Sequence, residues 1–115
     1  MTTNNETINF KDYQEAALKT SGAGGDGDMR LLIATLGLAG EAGEFANIVK
    51  KWKGHKHDIS KHELRDELGD ILWYIAEICS VSGLDMEEVA QQNVDKLKKR
   101  YPEGFSVERS RNRIE

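Results

Sequence analysis

Two pairs of acidic residues have the spacing of neighbouring side chains on one face of a helix. Glu41 and Glu44 form the first pair, and Glu67 and Asp70 form the second. Residues three apart on a helix are separated by about 60° around its axis, so both carboxylates of a pair project together. Each pair borders an apolar stripe. If the two helices pack antiparallel through these stripes, the four carboxylates converge.

Converging carboxylates need a cation or protons between them. Two like charges about 4 Å apart repel by about 1 kcal/mol in water and by about 4 kcal/mol at an intermediate effective dielectric constant. Four such groups stay ionised only beside a cation, and otherwise some of them bind protons. Mg²⁺ prefers oxygen ligands and keeps positions for water or substrate phosphates. The pattern therefore predicts a site at which metal joins carboxylates to an anionic ligand such as a polyphosphate.

Interior glycines accompany these acidic pairs. Gly37, Gly40 and Gly43 lie in the first predicted helix and Gly69 in the second. Each interior glycine costs roughly 1 kcal/mol relative to alanine, so helix propensity does not explain them. Close approach of a ligand or of a neighbouring helix does, and tight helix packing alone is the alternative.

A second interpretation of the acidic pairs involves no chemistry. Pairs of this kind are common on solvated helix faces, where lysine and arginine side chains accompany them. On that interpretation the chain is a non-catalytic helical interaction module. Its apolar stripes would then form an oligomeric interface, and its carboxylates would face water.

The sequence around the acidic pairs predicts helices and no strand. The chain has 115 residues, the length of one domain, and we treat residues 1–115 as such. Its single proline is Pro102, and no segment shows the period-two alternation of a strand.

Glycine and capping residues set the boundaries of the first two helices. We expect helix one over residues 10–20, after a cap at Asn9, and then a flexible glycine-rich linker over residues 22–27. Helix two is predicted to run from a cap at Asp28 to Trp52.

The same signals delimit the second half of the chain. Helix three is predicted from the capping box that Ser60 opens to Gly83, and helix four from Asp85 to the stop before Pro102. We expect the polar tail, residues 103–115, to be mostly loose.

Two apolar stripes predict the buried faces of the long helices. The stripe of helix two consists of Leu31, Leu38, Ala42, Phe45, Val49 and Trp52, and that of helix three of Leu64, Leu68, Ile71, Leu72, Ile75 and Cys79. Short connections between the later helices favour an all-α, antiparallel four-helix bundle-like fold. We expect a homo-oligomer to complete it, because one small chain leaves both stripes partly uncovered.

Composition argues against several classes of partner. The chain carries 16 basic and 20 acidic residues, a net charge of −4, which does not suit a nucleic-acid polymer. The longest unbroken apolar run, residues 71–76, is too short to span a bilayer, and the polar first six residues lack a signal-peptide core. Cys79 is the only cysteine, so we expect a cytoplasmic protein without disulfides.

The acidic pairs and their surroundings resemble a known family. Residues 40–44 read Gly-Glu-Ala-Gly-Glu, and residues 66–74 read Asp-Glu-Leu-Gly-Asp-Ile-Leu-Trp-Tyr. This is similar to the E-x-x-E … E-x-x-D signature of MazG-like nucleotide pyrophosphohydrolases, in the all-α NTP pyrophosphatase superfamily. The resemblance continues through residues 93–97 and 100–102. The order of the motifs and the 22 residues between Glu44 and Glu67 make the combination fairly specific.

The resemblance implies an all-α fold in which two or four subunits associate. It implies Mg²⁺, with Mn²⁺ as an alternative, held by Glu41, Glu44, Glu67 and Asp70. It further implies hydrolysis of a (deoxy)nucleoside triphosphate to the monophosphate and pyrophosphate, in a housecleaning role. Catalytic roles fall on Glu44 and Glu67, with Glu44 the candidate to accept the proton of the attacking water.

Five further residues are candidates to bind the substrate. Tyr74 lies one helical turn beyond Asp70, where it either hydrogen-bonds a phosphate or sugar or closes the edge of the core. Asn93, Lys96 and Arg100 share one face of helix four, which either binds phosphates or is a solvated basic stripe. Trp52 either stacks on a base or covers the end of the core.

Overall fold

The computed structural model describes residues 7–22 and 26–112, and over these residues the chain is helical without any β-strand. The elements are α1 (Phe10–Leu18), α2 (Gly27–Val49), a π-helical segment (Lys50–Gly54), α3 (Lys61–Val81), α4 (Met86–Arg100) and α5 (Val107–Arg111). The predicted all-α fold class is confirmed. Residues 23–25 of the predicted linker, and the last three residues of the tail, lie outside the described residues.

Side-chain caps fix where the helices begin. The predicted caps at Asn9, Ser60 and Asp85 are confirmed, since each side chain accepts a backbone N–H from the first turn of its helix. The predicted cap at Asp28 is wrong. The Asp26 carboxylate accepts the Asp28 N–H at 3.0 Å, so α2 begins at Gly27.

Two helix ends differ from the prediction. Regular α-helix in α2 stops at Val49, short of Trp52, because the backbone widens into the π-helical segment, where the His55 N–H donates to the Lys50 carbonyl at 3.2 Å. The expected loose tail contains α5, whose first turn is capped by Ser106 accepting the Arg109 N–H at 3.0 Å. The predicted end of α3 is confirmed, as Gly83 has a φ of 70°.

Helices α2 and α3 pack antiparallel, and this pairing positions the carboxylates. The start of α2 meets the end of α3, where a Cβ on Gly27 would lie 4.0 Å from Val81. Further along the pair, Gly37 contacts Tyr74. The next turns of the two helices carry Glu41 and Asp70 side by side.

Helix α1 lies against α3 in the antiparallel sense, and α4 contacts α1. Trp73 Nε1 donates to Thr20 Oγ1 at 2.7 Å, and Gln14 Nε2 donates to Ser80 Oγ at 3.2 Å. The Met86 N–H at the start of α4 donates to Gln14 Oε1 at 2.8 Å. Helix α3 is therefore the central element, with α1 and α2 packed on it.

The core is small and the chain is open. The buried apolar side chains are Ala17, Ala34, Ala76, Cys79 and Met86. The radius of gyration is 17.3 Å, whereas a compact domain of this length has about 13 Å. Cys79 is buried as predicted, but the stripe predictions for Leu31, Ala42 and Leu68 are wrong, because those side chains are exposed.

One helical stretch, Gly27–Gly54, is long enough to cross a membrane and contains an 18-residue window with a mean hydropathy of 1.2. The sequence analysis, which considered unbroken apolar runs only, did not single it out. A single stretch of this kind is weak evidence of a span, because core helices of soluble proteins meet the same criterion. Here the stretch packs on α3 and carries Glu41 and Glu44 near its middle.

Candidate active site

The structure brings three of the four predicted carboxylates together. One carboxylate oxygen each from Glu41, Glu67 and Asp70 lies within 4.8 Å of the others. No other group of three histidine, cysteine or acidic side chains in the described part of the chain is arranged this way. Glu44, one turn beyond Glu41, is exposed, and its negative charge raises the pKa of the Glu41 carboxyl group. We call Glu41, Glu44, Glu67 and Asp70 the acidic cluster.

Negative charge accumulates at the acidic cluster. Desolvation, and then the charges of Glu44, Asp70 and Glu67, raise the pKa of the Glu41 carboxyl above its usual range. The pKa of Glu67 is also raised, chiefly by desolvation. Surrounding carboxylates raise it further, and the charges of Glu44 and Asp70 contribute most among them. Because the charges acting on both groups are all negative, the cluster favours a bound cation or protons.

Two oxygens of the cluster lack partners. Glu41 Oε2 and Glu67 Oε2 are buried and accept no hydrogen bond from the residues that the structure describes. A buried oxygen in this state is costly unless a ligand satisfies it. The all-oxygen donor set therefore fits a hard divalent cation such as Mg²⁺ or Mn²⁺.

A cleft adjoins the acidic cluster between α2 and α3, and Tyr74 is part of its wall. Its volume is about 430 Å³, within the usual range of small-molecule sites. The cleft is lined by Gly22, Asp26, Met29, Arg30, Ile33, Ala34, Trp73, Tyr74 and Glu77. Tyr74 follows Asp70 by one helical turn, about 6 Å along the axis, so the cleft and the carboxylates are neighbours.

A buried ion pair forms the far wall of the cleft. Glu77 is 8% exposed, and its carboxylate accepts from Arg30 Nη2 at 3.2 Å and from Ser21 Oγ at 2.8 Å. Ser21 and Arg30 lie at the two ends of the connection between α1 and α2. By binding both, Glu77 holds these two ends against α3. This pair was not predicted from the sequence. The signal was a single carboxylate inside the apolar run that follows Trp73.

Tyr13 on α1 is a second group that the sequence analysis did not identify. It is half-buried, and its pKa is raised by burial and then by the negative charge of Asp70. Helix α1 therefore brings a phenol into the electrostatic field of the acidic cluster. No local pattern in the sequence indicates this, because it depends on how α1 docks on α3.

Two of the three candidates on α4, Asn93 and Lys96, are not brought to the carboxylates by contacts within the described residues. Asn93 and Lys96 are exposed, and neither forms a hydrogen bond or an ion pair with the acidic cluster there. Arg100 is half-buried at the end of the helix. Helix α4 packs chiefly on α1.

Trp52 lies in the π-helical segment, beyond the C-terminal end of α2. The Lys53 ammonium stands 4.0 Å from the centre of its ring, so one face of the indole already has a cation–π partner. Trp52 also follows Glu44 by eight residues, about 12 Å along a helix axis. Contacts among residues 7–22 and 26–112 do not bring it to the acidic cluster.

The interior glycines divide into two groups. At Gly37 a neighbouring side chain fills the space of a Cβ, so the predicted close approach of a helix is confirmed there. At Gly40, Gly43 and Gly69 a Cβ would meet nothing within 4 Å. The chain itself supplies no close neighbour at these three positions, which adjoin the acidic cluster in sequence.

Comparison with known proteins identifies the family. The profile of the MazG nucleotide pyrophosphohydrolase domain matches residues 31–105, more than half of the chain. The chain is 40% identical to the Gene 37 protein of Mycobacterium phage L5 in an alignment of 100 positions that covers 80% of this chain and 88% of that protein. No solved structure is significantly similar to the chain. Since the matched residues include all four members of the acidic cluster, the chain belongs to the MazG nucleotide pyrophosphohydrolase family.

Proposed function

We propose that the protein is a Mg²⁺-dependent nucleoside triphosphate pyrophosphohydrolase, which converts a (deoxy)nucleoside triphosphate to the monophosphate and pyrophosphate. The observation that carries the proposal is the convergence of Glu41, Glu67 and Asp70 within 4.8 Å, with two buried oxygens unpartnered. Membership of the family supports the reaction class. A housecleaning role in the nucleotide pool follows by analogy with the family alone.

The acidic cluster would hold the metal through Glu41, Glu44, Glu67 and Asp70. A divalent cation bound there supplies charge neutralisation to the phosphate oxygens and lowers the pKa of a bound water. The chain would contribute the fixed geometry, because two helices bring Glu41, Glu67 and Asp70 together before substrate arrives. The antiparallel packing of α2 and α3 thus pre-organises the site.

The hydrolysis needs one water and one proton acceptor. Water adds across the anhydride between the α- and β-phosphates, the bridging bond breaks, and monophosphate and pyrophosphate leave. Glu44 is our candidate to accept the proton of the water. It is exposed, and it lies one helical turn from Glu41, close enough for its charge to act on that carboxyl group. Glu67, on the facing helix, would keep that water and the phosphate chain in line.

The remaining substrate contacts follow from the cleft. With the phosphates at the acidic cluster, the nucleoside would enter the adjoining cleft past Tyr74. The Tyr74 hydroxyl group would donate a hydrogen bond to a phosphate or sugar oxygen. Asn93, Lys96 and Arg100 would bind the pyrophosphate part, and Trp52 would stack on a base.

We further propose that the substrate-binding candidates on α4 and Trp52 meet the acidic cluster in a homodimer or homotetramer. The exposed apolar residues on α2 include Met29, Leu32, Ile33 and Leu36, which a second subunit would cover. The open shape supports this, as does the lack of contacts between Lys96 and the acidic cluster within the described chain. Nucleoside triphosphate is the expected partner, and neither a nucleic-acid polymer nor a membrane is. A reducing cytoplasm suits the single free thiol of Cys79.

A nucleotide panel tests the proposal directly. The protein is incubated with each common dNTP and NTP and Mg²⁺, and the release of pyrophosphate and of monophosphate is measured. We expect pyrophosphate, without orthophosphate as a first product. Glu44→Gln should lower kcat by about 100-fold or more, whereas Glu15→Gln, on the exposed face of α1, should not change it. If the folded wild-type chain releases no pyrophosphate from any nucleotide, the non-catalytic interaction module is the better account.

A further inference from the structure

The ring of Tyr74 occupies the space that a side chain on Gly37 would need. A Cβ built on Gly37 would lie 2.5 Å from Tyr74 Cζ and 2.9 Å from Cδ1, with Cε1 nearer than either. Carbon atoms in contact are separated by about 3.5–4 Å. The three atoms belong to a rigid aromatic ring, which cannot bend out of the way as the end of a flexible chain does. The ring of Tyr74 therefore lies directly on the backbone of α2.

This requirement is specific to one position. At Gly40, Gly43 and Gly69 a Cβ would have nothing within 4 Å. At Gly27, in the first turn of the same helix, it would make only an ordinary contact of 4.0 Å with Val81. Alanine would fit at each of these positions, and within a helix it is favoured over glycine.

A second aromatic ring contacts that of Tyr74. Trp73 packs edge-on against it, with ring centres 5.1 Å apart and an interplanar angle of 89°. Trp73 is itself anchored, because its indole N–H donates to Thr20 Oγ1 at 2.7 Å. The backbone of Gly37 and the edge of Trp73 thus restrict the phenol to one orientation.

We infer that Gly37 is a positioning residue for Tyr74. The missing side chain lets the phenol lie between the acidic cluster, one turn away at Asp70, and the cleft that it helps to line. The inference rests on the proposed function for the contact between Tyr74 and substrate. A methyl group at position 37 would push the ring off the helix, and displacement by about 1 Å at a reacting site can cost 100-fold in rate.

A thermal cycle tests the packing without reference to activity. Gly37→Ala should lower the melting temperature of the wild-type protein, because its methyl group collides with the ring. In a Tyr74→Ala background the same change should raise it by about 4 °C, since alanine is the better helix former and the space is vacant. Gly27→Ala is the matched control and should behave alike in both backgrounds. Equal shifts for Gly37→Ala in both backgrounds would overturn the inference.

A kinetic cycle tests the positioning role. Gly37→Ala should reduce kcat/KM by about 100-fold in the wild-type background and should cause no further loss in Tyr74→Ala. Circular dichroism confirms that each variant is folded. A loss that persists in the Tyr74→Ala background, or none in either, would contradict positioning through Tyr74. Absence of pyrophosphate release from the wild-type protein would instead refute the proposed function, and the thermal cycle would still decide the packing.

Discussion

Replacing Glu77 by alanine removes the carboxylate that joins three parts of the fold. Glu77 on α3 pairs with Arg30 on α2 at 3.2 Å and accepts from Ser21, at the end of α1, at 2.8 Å. After the change, the Arg30 guanidinium keeps its charge without its partner. Its Nε already lacks a hydrogen-bond acceptor among the described residues. The variant therefore leaves a largely buried cation uncompensated.

The size of the effect follows from the burial of the two partners. Breaking a fully buried ion pair by removing one partner costs about 3–5 kcal/mol. The side chain of Arg30 is 23% exposed and that of Glu77 is 8% exposed, so part of the remaining charge stays hydrated. We therefore expect the free energy of unfolding to fall by about 2–3 kcal/mol, which includes the hydrogen bond from Ser21.

Urea denaturation followed by circular dichroism measures this change. For a domain of this length the loss corresponds to a fall of about 10 °C in melting temperature. Glu15→Ala, on the exposed surface of α1, is the matched control and should change the stability by less than about 0.5 kcal/mol.

A double variant separates the ion pair from packing. Arg30→Leu combined with Glu77→Leu removes both charges, so it should recover most of the stability that Glu77→Ala loses. A Glu77→Ala protein as stable as the Glu15→Ala control would refute the reasoning. The pair would then be a surface contact of little energetic value.

Three other predictions follow from the site. The pKa values of Glu41 and Glu67 are raised in the folded protein, so just above pH 4.5 the metal-free folded state binds more protons than the unfolded state. The melting temperature of the metal-free protein should therefore fall as the pH rises through that range. With Mg²⁺ present, this fall should be smaller. Tyr74→Phe keeps the ring but loses the hydroxyl, so kcat/KM should fall about tenfold with little change in melting temperature. Leu36→Gln, at a side chain that is 64% exposed, should weaken self-association in analytical ultracentrifugation without unfolding the chain.

Much of the acidic cluster could be predicted from the sequence, because helical geometry is local. The three-residue spacing in each pair fixes which side chains project together, and Ser60 marks the start of α3. The antiparallel packing of α2 and α3 then brings Glu41 to Asp70. The approach of a neighbouring side chain to Gly37 was also predictable, although its identity was not.

The rest depends on the packing register of distant segments. Nothing near Tyr13 in the sequence indicates that α1 places it in the field of Asp70. The pairing of Arg30 with Glu77 spans 47 residues and depends on where α2 begins. The start of α2 was predicted at the wrong residue because Asp26 and Asp28 are both good capping residues. Only the backbone geometry shows that Asp26 is the cap. The burial of the apolar stripes on α2 and α3 could not be predicted from the sequence either, since much of the apolar surface stays exposed in one chain.

Isothermal titration of the metal-free protein with Mg²⁺, repeated with Mn²⁺, tests whether carboxylates from α2 and α3 share a cation. The account predicts saturable binding to the wild-type and Glu15→Gln proteins, and its loss in Glu67→Gln, a single substitution on α3 that leaves both α2 carboxylates intact. Binding of equal strength in wild-type and Glu67→Gln proteins, or no binding in either, would contradict it.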